Sequence, residues 1–247
     1  MKKLPPILAL AQIIDKNNYD FFVNDNLCIL ELGCGNGDEV YMLRNKGYDT
    51  YGADIQFKKG QHVDMLIKQK YICKINNTKY HIPFPDESFD IVFSKQVFEH
   101  VHNYEETLQE LRRVMKPGAI GVHRFPSRLR PVESHVKVPF SSVIRNYKWI
   151  LFWTYMGFLK KNQKHLKPEF IAQKNLDYLN SCTNYMSGHK ILKKFQAEFS
   201  KAGFAEKYWF MVSPNKRGHV LGRFNTVVPL IALIYRTFWT RVIFHIK

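Results

Sequence analysis

The sequence predicts an α/β protein with a doubly wound, mostly parallel sheet, and two observations carry this prediction. Short apolar segments alternate with helical patterns along the first half of the chain. One of them, the run Cys28–Leu32, leads into the glycine-rich segment 33–37 and then into a helical pattern. A buried strand that passes through a tight glycine turn into a helix N-terminus is how open α/β sheets hold nucleotide-like ligands.

Seven strands and the helices between them are predicted in order. The strands cover 27–32, 49–55, 71–75, 89–93, 119–125, 206–212 and 219–224, and the last two would form an antiparallel hairpin. The helices begin with a short one before the first strand and continue with one from Asp38, then 58–70, a helix to Met115, and 188–202. Glycines or Lys116-Pro117-Gly118 end three of these helices. The pattern predicts one domain, residues 1–247, closed by an antiparallel pair.

Two segments lie outside this alternation. Residues 126–187 form a helical insertion after strand five, predicted to cover the substrate as a lid, and its segment 142–160 is apolar on nearly every face. Residues 226–247 form an apolar, basic C-terminal helix. A membrane span needs about 20 apolar residues, and Arg236 and Arg241 argue against one. Both helices either lie in a lipid headgroup layer or pack on each other and on the core.

The charge is concentrated in the second half of the chain. The net charge is +16; residues 1–132 hold 18 Lys+Arg and 16 Asp+Glu, whereas residues 133–247 hold 19 and 5, a net +14. Such a basic region attracts nucleic acid, anionic lipid or a phosphorylated substrate. The four cysteines show no C-x-x-C spacing, which favours reduced thiols in a cytoplasmic protein.

Four motifs in a fixed order resemble one enzyme family. The segment 31–37, E-L-G-C-G-N-G, resembles motif I of the class I S-adenosylmethionine-dependent methyltransferases. The similarity continues through 52–55, 82–92 and 111–118, and its phrasing resembles the small-molecule branch that includes the ubiquinone-biosynthesis type enzymes. The resemblance implies the Rossmann-like methyltransferase fold and a methyltransferase activity.

The same resemblance implies S-adenosyl-L-methionine as the cofactor and assigns residues to it. Glu31 would face the amino-acid end of the cofactor and Asp54 the ribose hydroxyls, while Asn77 stands where the family usually has an aspartate that meets the adenine. The acidic Asp38 and Glu39 favour a cationic or neutral ligand over a dinucleotide. The predicted cofactor contacts are Glu31, Gly33, Gly35, Gly37, Asp54, Asn77 and Ser94.

Histidines near the carboxyl ends of strands four and five are candidates for the general base. They are His100, His123 and His135, and Glu133 is predicted to act with His135. The alternatives are that His100 packs or hydrogen-bonds structurally, and that Glu133 and His135 pin the insertion to the core. The predicted catalytic residues are His135, Glu133 and His100, and no metal is expected, because the chain lacks metal-ligand spacings.

Three functions are compatible with the predicted cofactor and site residues. The segment after strand five resembles methyltransferases of surface glycan and lipopolysaccharide assembly, which would make the acceptor a small molecule or a sugar hydroxyl on a nucleotide- or lipid-linked carrier. The basic half would then meet an anionic membrane, and the protein would be cytoplasmic and peripheral on the inner face. An RNA methyltransferase is less favoured, because Ser94-Lys95-Gln96-Val97 differs from the motif of amino-adenine methylases. The third alternative is a non-catalytic cofactor-binding scaffold.

Overall fold

A computed structural model describes residues 5–16, 27–76, 78–212 and 228–247, and it contains one seven-stranded sheet. The strands are β1 (Cys28–Leu32), β2 (Asp49–Asp54), β3 (Ile72–Lys74), β4 (Phe89–Lys95), β5 (Met115–Pro126), β6 (Lys201–Phe204) and β7 (Thr240–Ile246). Their order across the sheet is β3-β2-β1-β4-β5-β7-β6. The first five strands are parallel, and β7 runs antiparallel to both β5 and β6. The predicted fold class is confirmed.

Helices cover both faces of the sheet. They are α1 (Pro6–Lys16), α2 (Asp38–Asn45), α3 (Val63–Lys68), α4 (Tyr104–Val114), α5 (Tyr147–Tyr155), α6 (Pro168–Cys182), α7 (Gly188–Glu198), α8 (Glu206–Val212) and α9 (Val228–Phe238). Leu30 of β1 packs with α4 and α7 on one face, and Ile29 packs with α1 and α8 on the other. Because β1 is buried on both faces, its sequence is apolar except for Glu31, as is typical of central parallel strands.

The prediction of a strand over 206–212 is wrong. This segment is helix α8, which presents Trp209 and Phe210 to the interior. The buried carboxylate of Glu206 accepts a hydrogen bond from the backbone N–H of Val242 at 2.9 Å, which fixes the helix start against β7. The sheet instead uses β6, which starts at Lys201, inside the segment predicted to end the preceding helix. The predicted strand over 219–224 lies outside the described residues.

The prediction of a helix over 226–247 is correct only for α9. From Thr240 the chain forms β7, whose Val242, Ile243 and Ile246 are buried between β5 and β6. Gly121 on β5 makes this pairing possible, because a Cβ there would lie 1.9 Å from Nε2 of the buried His245. The end of the chain is therefore a core strand.

Two other predicted helices are shorter than expected. The segment 58–70 is helical only in α3, and a Cβ at Gly60 would lie 2.7 Å from the Cβ of Asn36, so the chain before α3 is packed tightly against the glycine loop. Of 142–160, only α5 is helical; Asn146 caps it, its side chain accepting from Lys148 N at 2.9 Å and Trp149 N at 3.3 Å. Helix α5 packs on α6 within the insertion. Within the described ranges, no helix has the length and apolar character that a membrane span needs.

Candidate active site

The loop after β1 has a backbone that only glycine adopts without strain. Gly33 and Gly37 have φ angles of +74° and +72°. A Cβ at Gly33 would lie 2.2 Å from Cγ2 of Val97, and one at Gly37 would lie 2.6 Å from Cδ1 of Leu66. The loop therefore exposes bare backbone at the carboxyl end of β1, the edge where open α/β sheets bind ligands.

Asp54 ties the end of β2 to this loop. Its Oδ2 accepts a hydrogen bond from the backbone N–H of Gly35 at 2.7 Å, and Oδ1 accepts one from Gln56 N at 3.0 Å. Each carboxylate oxygen has a second lone pair for a ligand. Asp54 therefore lies beside the glycine loop, and it lines the cavity described below.

Glu31 is a buried carboxylate with an unpaired oxygen. It is only 5% exposed, and its Oε2 has no hydrogen-bond partner among the residues that the structure describes. Burial raises the pKa of Glu31 to about 8; the negative charges of Glu39 and Asp54 add to this effect and Lys95 opposes it. A buried carboxylate in an acidic surrounding is stabilised by a cation, so the loop suits a positively charged ligand group.

A cavity of about 620 Å³ opens over these residues. It is lined by Leu32, Gly33 and Asp54, by the apolar side chains of Ile55, Ile75 and Tyr80, and by Val97, His100 and Cys182. The apolar side chains suit a flat aromatic group, and His100 brings a titratable group to the same cavity. Sequence reasoning missed Tyr80, Val97 and Cys182, since their contribution depends on segments that meet only in the fold.

Two predicted cofactor contacts are not found at the cavity. Ser94 is fully buried, and its Oγ lies 2.8 Å from Nδ1 of His123, so its hydroxyl serves the sheet interior. Asn77 lies outside the described residues. Of the remaining predicted contacts, Gly33 and Asp54 line the cavity. Gly35 donates its backbone N–H to Asp54, and Glu31 is close enough for its charge to be felt by Asp54, whereas Gly37 packs against Leu66 and does not line the cavity.

His100 and His135 come together although 35 positions separate them. Their ring centroids are 4.7 Å apart, and both face the buried Glu99, whose Oε1 lies 3.9 Å from His100 Nε2 and 3.7 Å from His135 Nε2. His100 lines the cavity, and its Nδ1 lies 2.5 Å from the carbonyl oxygen of Cys182. Because a carbonyl oxygen can only accept, Nδ1 is the donor and Nε2 of the neutral ring is free to accept a proton.

The carboxylate beside these histidines is Glu99 and not Glu133. Glu133 is fully buried, and its Oε2 accepts from the backbone N–H groups of His135 and Val136, both at 2.6 Å. Its Oε1 accepts from the hydroxyl of Tyr185 at 2.7 Å. Both oxygens are occupied by partners within the insertion, so Glu133 fixes the insertion's own backbone and neither activates His135 nor ties the insertion to the core.

Glu99, His100 and His135 are also a group that could hold a metal ion, because their ligand atoms lie within 4.8 Å of one another. Neither oxygen of Glu99 has a hydrogen-bond partner in the described part of the chain. No spacing rule finds this group, since His135 comes from the insertion and the other two residues follow β4. The third candidate base, His123, is fully buried, and burial lowers its pKa to about 3.

The profile of the methyltransferase domain family matches residues 30–122, the part of the chain that contains the glycine loop, Asp54 and β4. This segment also contains every motif that predicted the class. Residues 30–122 therefore match the methyltransferase domain family, and a relative from Mycolicibacterium smegmatis named as a probable S-adenosylmethionine-dependent methyltransferase supports the predicted class. The branch within the class stays a prediction.

Curated relatives agree with this class. The chain is 34% identical over 101 residues to an uncharacterised protein of Methanocaldococcus jannaschii, covering 41% of this chain and 39% of that protein. It is 28% identical over 102 residues to malonyl-[acyl-carrier protein] O-methyltransferase 1 of Coxiella burnetii, covering 41% and 34%. With the ubiquinone biosynthesis O-methyltransferase of Rickettsia typhi it shares 25% over 172 residues, covering 67% and 65%. The chain spans about two fifths of the first relative, about one third of the second and about two thirds of the third.

Solved structures share the fold. The phosphoethanolamine N-methyltransferase 2 of Haemonchus contortus, solved in complex with S-adenosyl-L-methionine, superposes with a TM-score of 0.50 at 13% identity. The superposition covers 96% of this chain and 52% of that one. At this identity the likeness shows the fold alone, and it extends over the insertion and the last strands as well as the first half.

Proposed function

We propose that this protein is an S-adenosylmethionine-dependent methyltransferase that methylates a hydroxyl oxygen of a small-molecule or lipid- or nucleotide-linked sugar in surface glycan biosynthesis. The observation that carries methyl transfer is the cavity that joins the glycine loop and Asp54 to His100. Two relatives whose names specify O-methylation support an oxygen acceptor. The basic second half supports an anionic carrier.

The residues at the loop fit this cofactor. When bound, S-adenosylmethionine would supply a methyl group on a sulfonium sulfur. The methyl group would pass to the acceptor oxygen, and the sulfur would leave as a neutral thioether. A cationic part of the cofactor beside the unpaired Oε2 of Glu31 would favour the ionised carboxylate and so lower its raised pKa, and Asp54 offers free lone pairs to the ribose hydroxyls. Gly33 lines the cavity with its backbone, because a side chain there would collide with Val97.

The acceptor proton goes to the histidine pair. His100 Nε2 accepts the proton of the acceptor hydroxyl as the new C–O bond forms, because its Nδ1 is held by the Cys182 carbonyl. The Glu99 carboxylate lies near Nε2 of both rings, so it compensates the imidazolium that forms. His135 lies behind His100 and buttresses it through the ring contact at 4.7 Å. The insertion thus supports the base through His135, although His135 itself does not line the cavity.

Labelled methyl transfer tests the proposal. A lysate supplied with methyl-labelled S-adenosylmethionine and the purified protein is separated into organic, aqueous-glycan and nucleic-acid fractions. We expect label in the organic or glycan fraction, loss of it with Asp54→Ala, and a decrease of about 100-fold or more with His100→Ala. A matched Glu133→Gln variant, if folded, retains transfer.

The other outcomes decide between the remaining functions. Label in the nucleic-acid fraction would mean that the protein is an RNA methyltransferase. The basic half would then contact the phosphate backbone of the RNA. Cofactor binding without label in any fraction would favour a non-catalytic scaffold. Label in the organic fraction alone would indicate a lipid-linked acceptor and favour a location on the inner face of the cytoplasmic membrane. The exposed apolar residues of α9 favour the same location.

A further inference from the structure

A second cavity, of about 430 Å³, lies outside the cofactor site and contains three arginines. Arg128 comes from the start of the insertion, Arg236 from the last turn of α9 and Arg241 from β7. Ser187 and Gly188, where α7 begins, form another wall. Three separate parts of the chain thus bring cations to one small space, which we call the arginine pocket.

Arg241 is the buried member of the arginine pocket. Arg241 is 5% exposed, and its Nη1 donates to the Met186 carbonyl oxygen at 2.7 Å. Its Nε has no hydrogen-bond partner in the described ranges. A Cβ at Gly188 would lie 3.6 Å from this Nε, so the guanidinium lies against the first residue of α7. A buried guanidinium with an unused N–H costs stability unless an acceptor binds it.

The charges around the arginine pocket leave it positive. The pKa of Arg241 is lowered to about 10, mainly by burial and also by the positive charges of Arg128 and Arg236, while Tyr104 and Glu206 oppose this. The carboxylate among these groups, Glu206, lies 3.2 Å from Arg236 Nε and also accepts from Val242 N. The N-terminus of α7 adds partial positive charge. An anion with several acceptor oxygens fits these donors.

The rim of the arginine pocket is apolar. Leu129 and Val143 line it and are 42% and 39% exposed. On α9, Thr237 lines the pocket, and Leu233 and Leu230 lie one and two turns before it, at 52% and 58% exposure. The opposite face of α9 packs on Phe210 of α8, so this stripe is the outward face of a fixed helix. A ligand with an anionic head and an apolar chain matches both features.

We propose that the arginine pocket binds the phosphate headgroup of an anionic lipid, whose apolar chains lie along the exposed stripe of α9. The charge complementarity and the adjoining stripe favour a lipid over a soluble phosphate ester, which would use the arginines alone. A short segment joins the arginine pocket to the cofactor cavity. Cys182 of that cavity and Ser187 of the arginine pocket are five positions apart, so their Cα atoms are separated by at most about 18 Å.

If the proposed glycan methylation is correct, a phosphate held here would place a carrier-linked sugar near His100; this consequence rests on the proposed function, whereas lipid binding does not. The test therefore omits the cofactor. Purified protein is sedimented with phosphatidylcholine vesicles that contain a minor fraction of phosphatidic acid, and with pure phosphatidylcholine vesicles. In parallel, the Nε–H signal of Arg241 is followed by NMR during titration with glycerol 3-phosphate.

The variants separate the site from general attraction. We expect Arg128→Glu to weaken binding to the acidic vesicles about tenfold or more, because it replaces a cation of the pocket by an anion. Lys68→Glu makes the same charge change on the exposed end of α3 and should alter binding less than twofold. Leu233→Asp should abolish sedimentation yet leave the glycerol 3-phosphate shift of Arg241 intact.

Three results would overturn the proposal. Equal weakening by Arg128→Glu and Lys68→Glu would reduce the effect to unspecific charge attraction. A shift of the Arg241 signal by glycerol 3-phosphate without any vesicle binding would make the pocket a soluble phosphate site. If the Arg241 signal does not shift and the protein does not sediment with the acidic vesicles, the pocket is not a binding site. A failed methyl-transfer assay with intact vesicle binding would affect only the proposed enzyme function.

Discussion

The two halves of the chain differ in how they form their parts of the site. Residues 27–125 carry β1 to β5 in sequence order, each loop following its own strand, and they contain the cofactor end of the cavity. Residues 126–247 contribute His135, the arginine pocket and β7, which pairs with β5 from more than a hundred positions away. The first half therefore depends on local turns, and the second depends on long-range packing.

The largest expected effect tests whether the C-terminus is core or surface. Ile243 of β7 is fully buried and Leu233 of α9 is 52% exposed. We expect Ile243→Asp to lower the free energy of unfolding by more than about 4 kcal/mol, because it buries an unpaired charge, and Leu233→Asp to change it by less than about 0.5 kcal/mol. Urea unfolding followed by circular dichroism measures both. Similar losses for the two variants would mean that β7 does not belong to the sheet.

A second comparison concerns the histidines that the two halves share. We expect His100→Ala to lower kcat by 10² to 10⁴, about 3 to 5 kcal/mol in transition-state free energy, and His135→Ala to lower it less, because only His100 lines the cavity. Glu133→Gln should instead cost about 1 to 3 kcal/mol of stability, since it weakens buried hydrogen bonds to Val136 and Tyr185. Steady-state kinetics paired with thermal unfolding separates the two effects. A kcat loss in Glu133→Gln as large as in His100→Ala would contradict this division.

The glycine loop gives a comparison within the first half. Gly33 and Gly47 both have positive φ, but a Cβ at Gly33 would lie 2.2 Å from Val97, whereas nothing lies within 4 Å of one at Gly47. We expect Gly47→Ala to cost about 1 to 2 kcal/mol of stability and to leave cofactor affinity unchanged. Gly33→Ala should cost the same backbone strain and also displace Val97 from the cavity wall, which weakens S-adenosylhomocysteine binding at least tenfold. Calorimetric titration of both variants measures this, and equal affinities would contradict the fit of the loop.

The smallest effect is the pH dependence of the unliganded protein. The pKa of Glu31 is about 8 in the folded protein and near 4.5 when exposed. Between these values the folded state holds a proton that the unfolded state has lost, so this group's contribution to stability falls as pH rises and is lost through pH 8. We expect Glu31→Gln to be more stable than the unchanged protein at pH 9 by a few kcal/mol or less, and by much less at pH 5. An identical difference at both pH values would show that Glu31 does not titrate in this range.

The first half could be predicted because its signals are local. The apolar run of β1 and the glycines after it determine both the strand and the turn, and the predicted strand 27–32 differs from Cys28–Leu32 by one residue. The helix from Asp38 is likewise marked by its acidic first turn and by Gly47 after its end. Glu31, Gly33 and Asp54 follow from these elements, because a motif at a strand end fixes the side of the sheet on which it lies.

The second half could not be predicted in the same way. Arg241 and His245 interrupt β7 and favour a surface helix in the sequence, yet both are buried. His245 is accommodated because Gly121 leaves space and because its Nε2 lies 2.8 Å from Nε2 of His123. The role of Glu99 could not be predicted for a similar reason: its partner His135 comes from the insertion. Pairings of this kind appear only when distant segments meet.

Cofactor titration tests the central claim most directly, namely that Asp54 and the glycine loop of the first half bind the cofactor and that His135 of the insertion does not contribute to this binding. S-adenosylhomocysteine is titrated calorimetrically into the unchanged protein, Asp54→Ala and His135→Ala, each first shown to be folded. We expect Asp54→Ala to lose at least tenfold in affinity, because Asp54 both orders the loop through Gly35 and faces the cavity. His135→Ala should stay within twofold of the unchanged protein. No binding to the unchanged protein, or a greater loss in His135→Ala than in Asp54→Ala, would contradict the account.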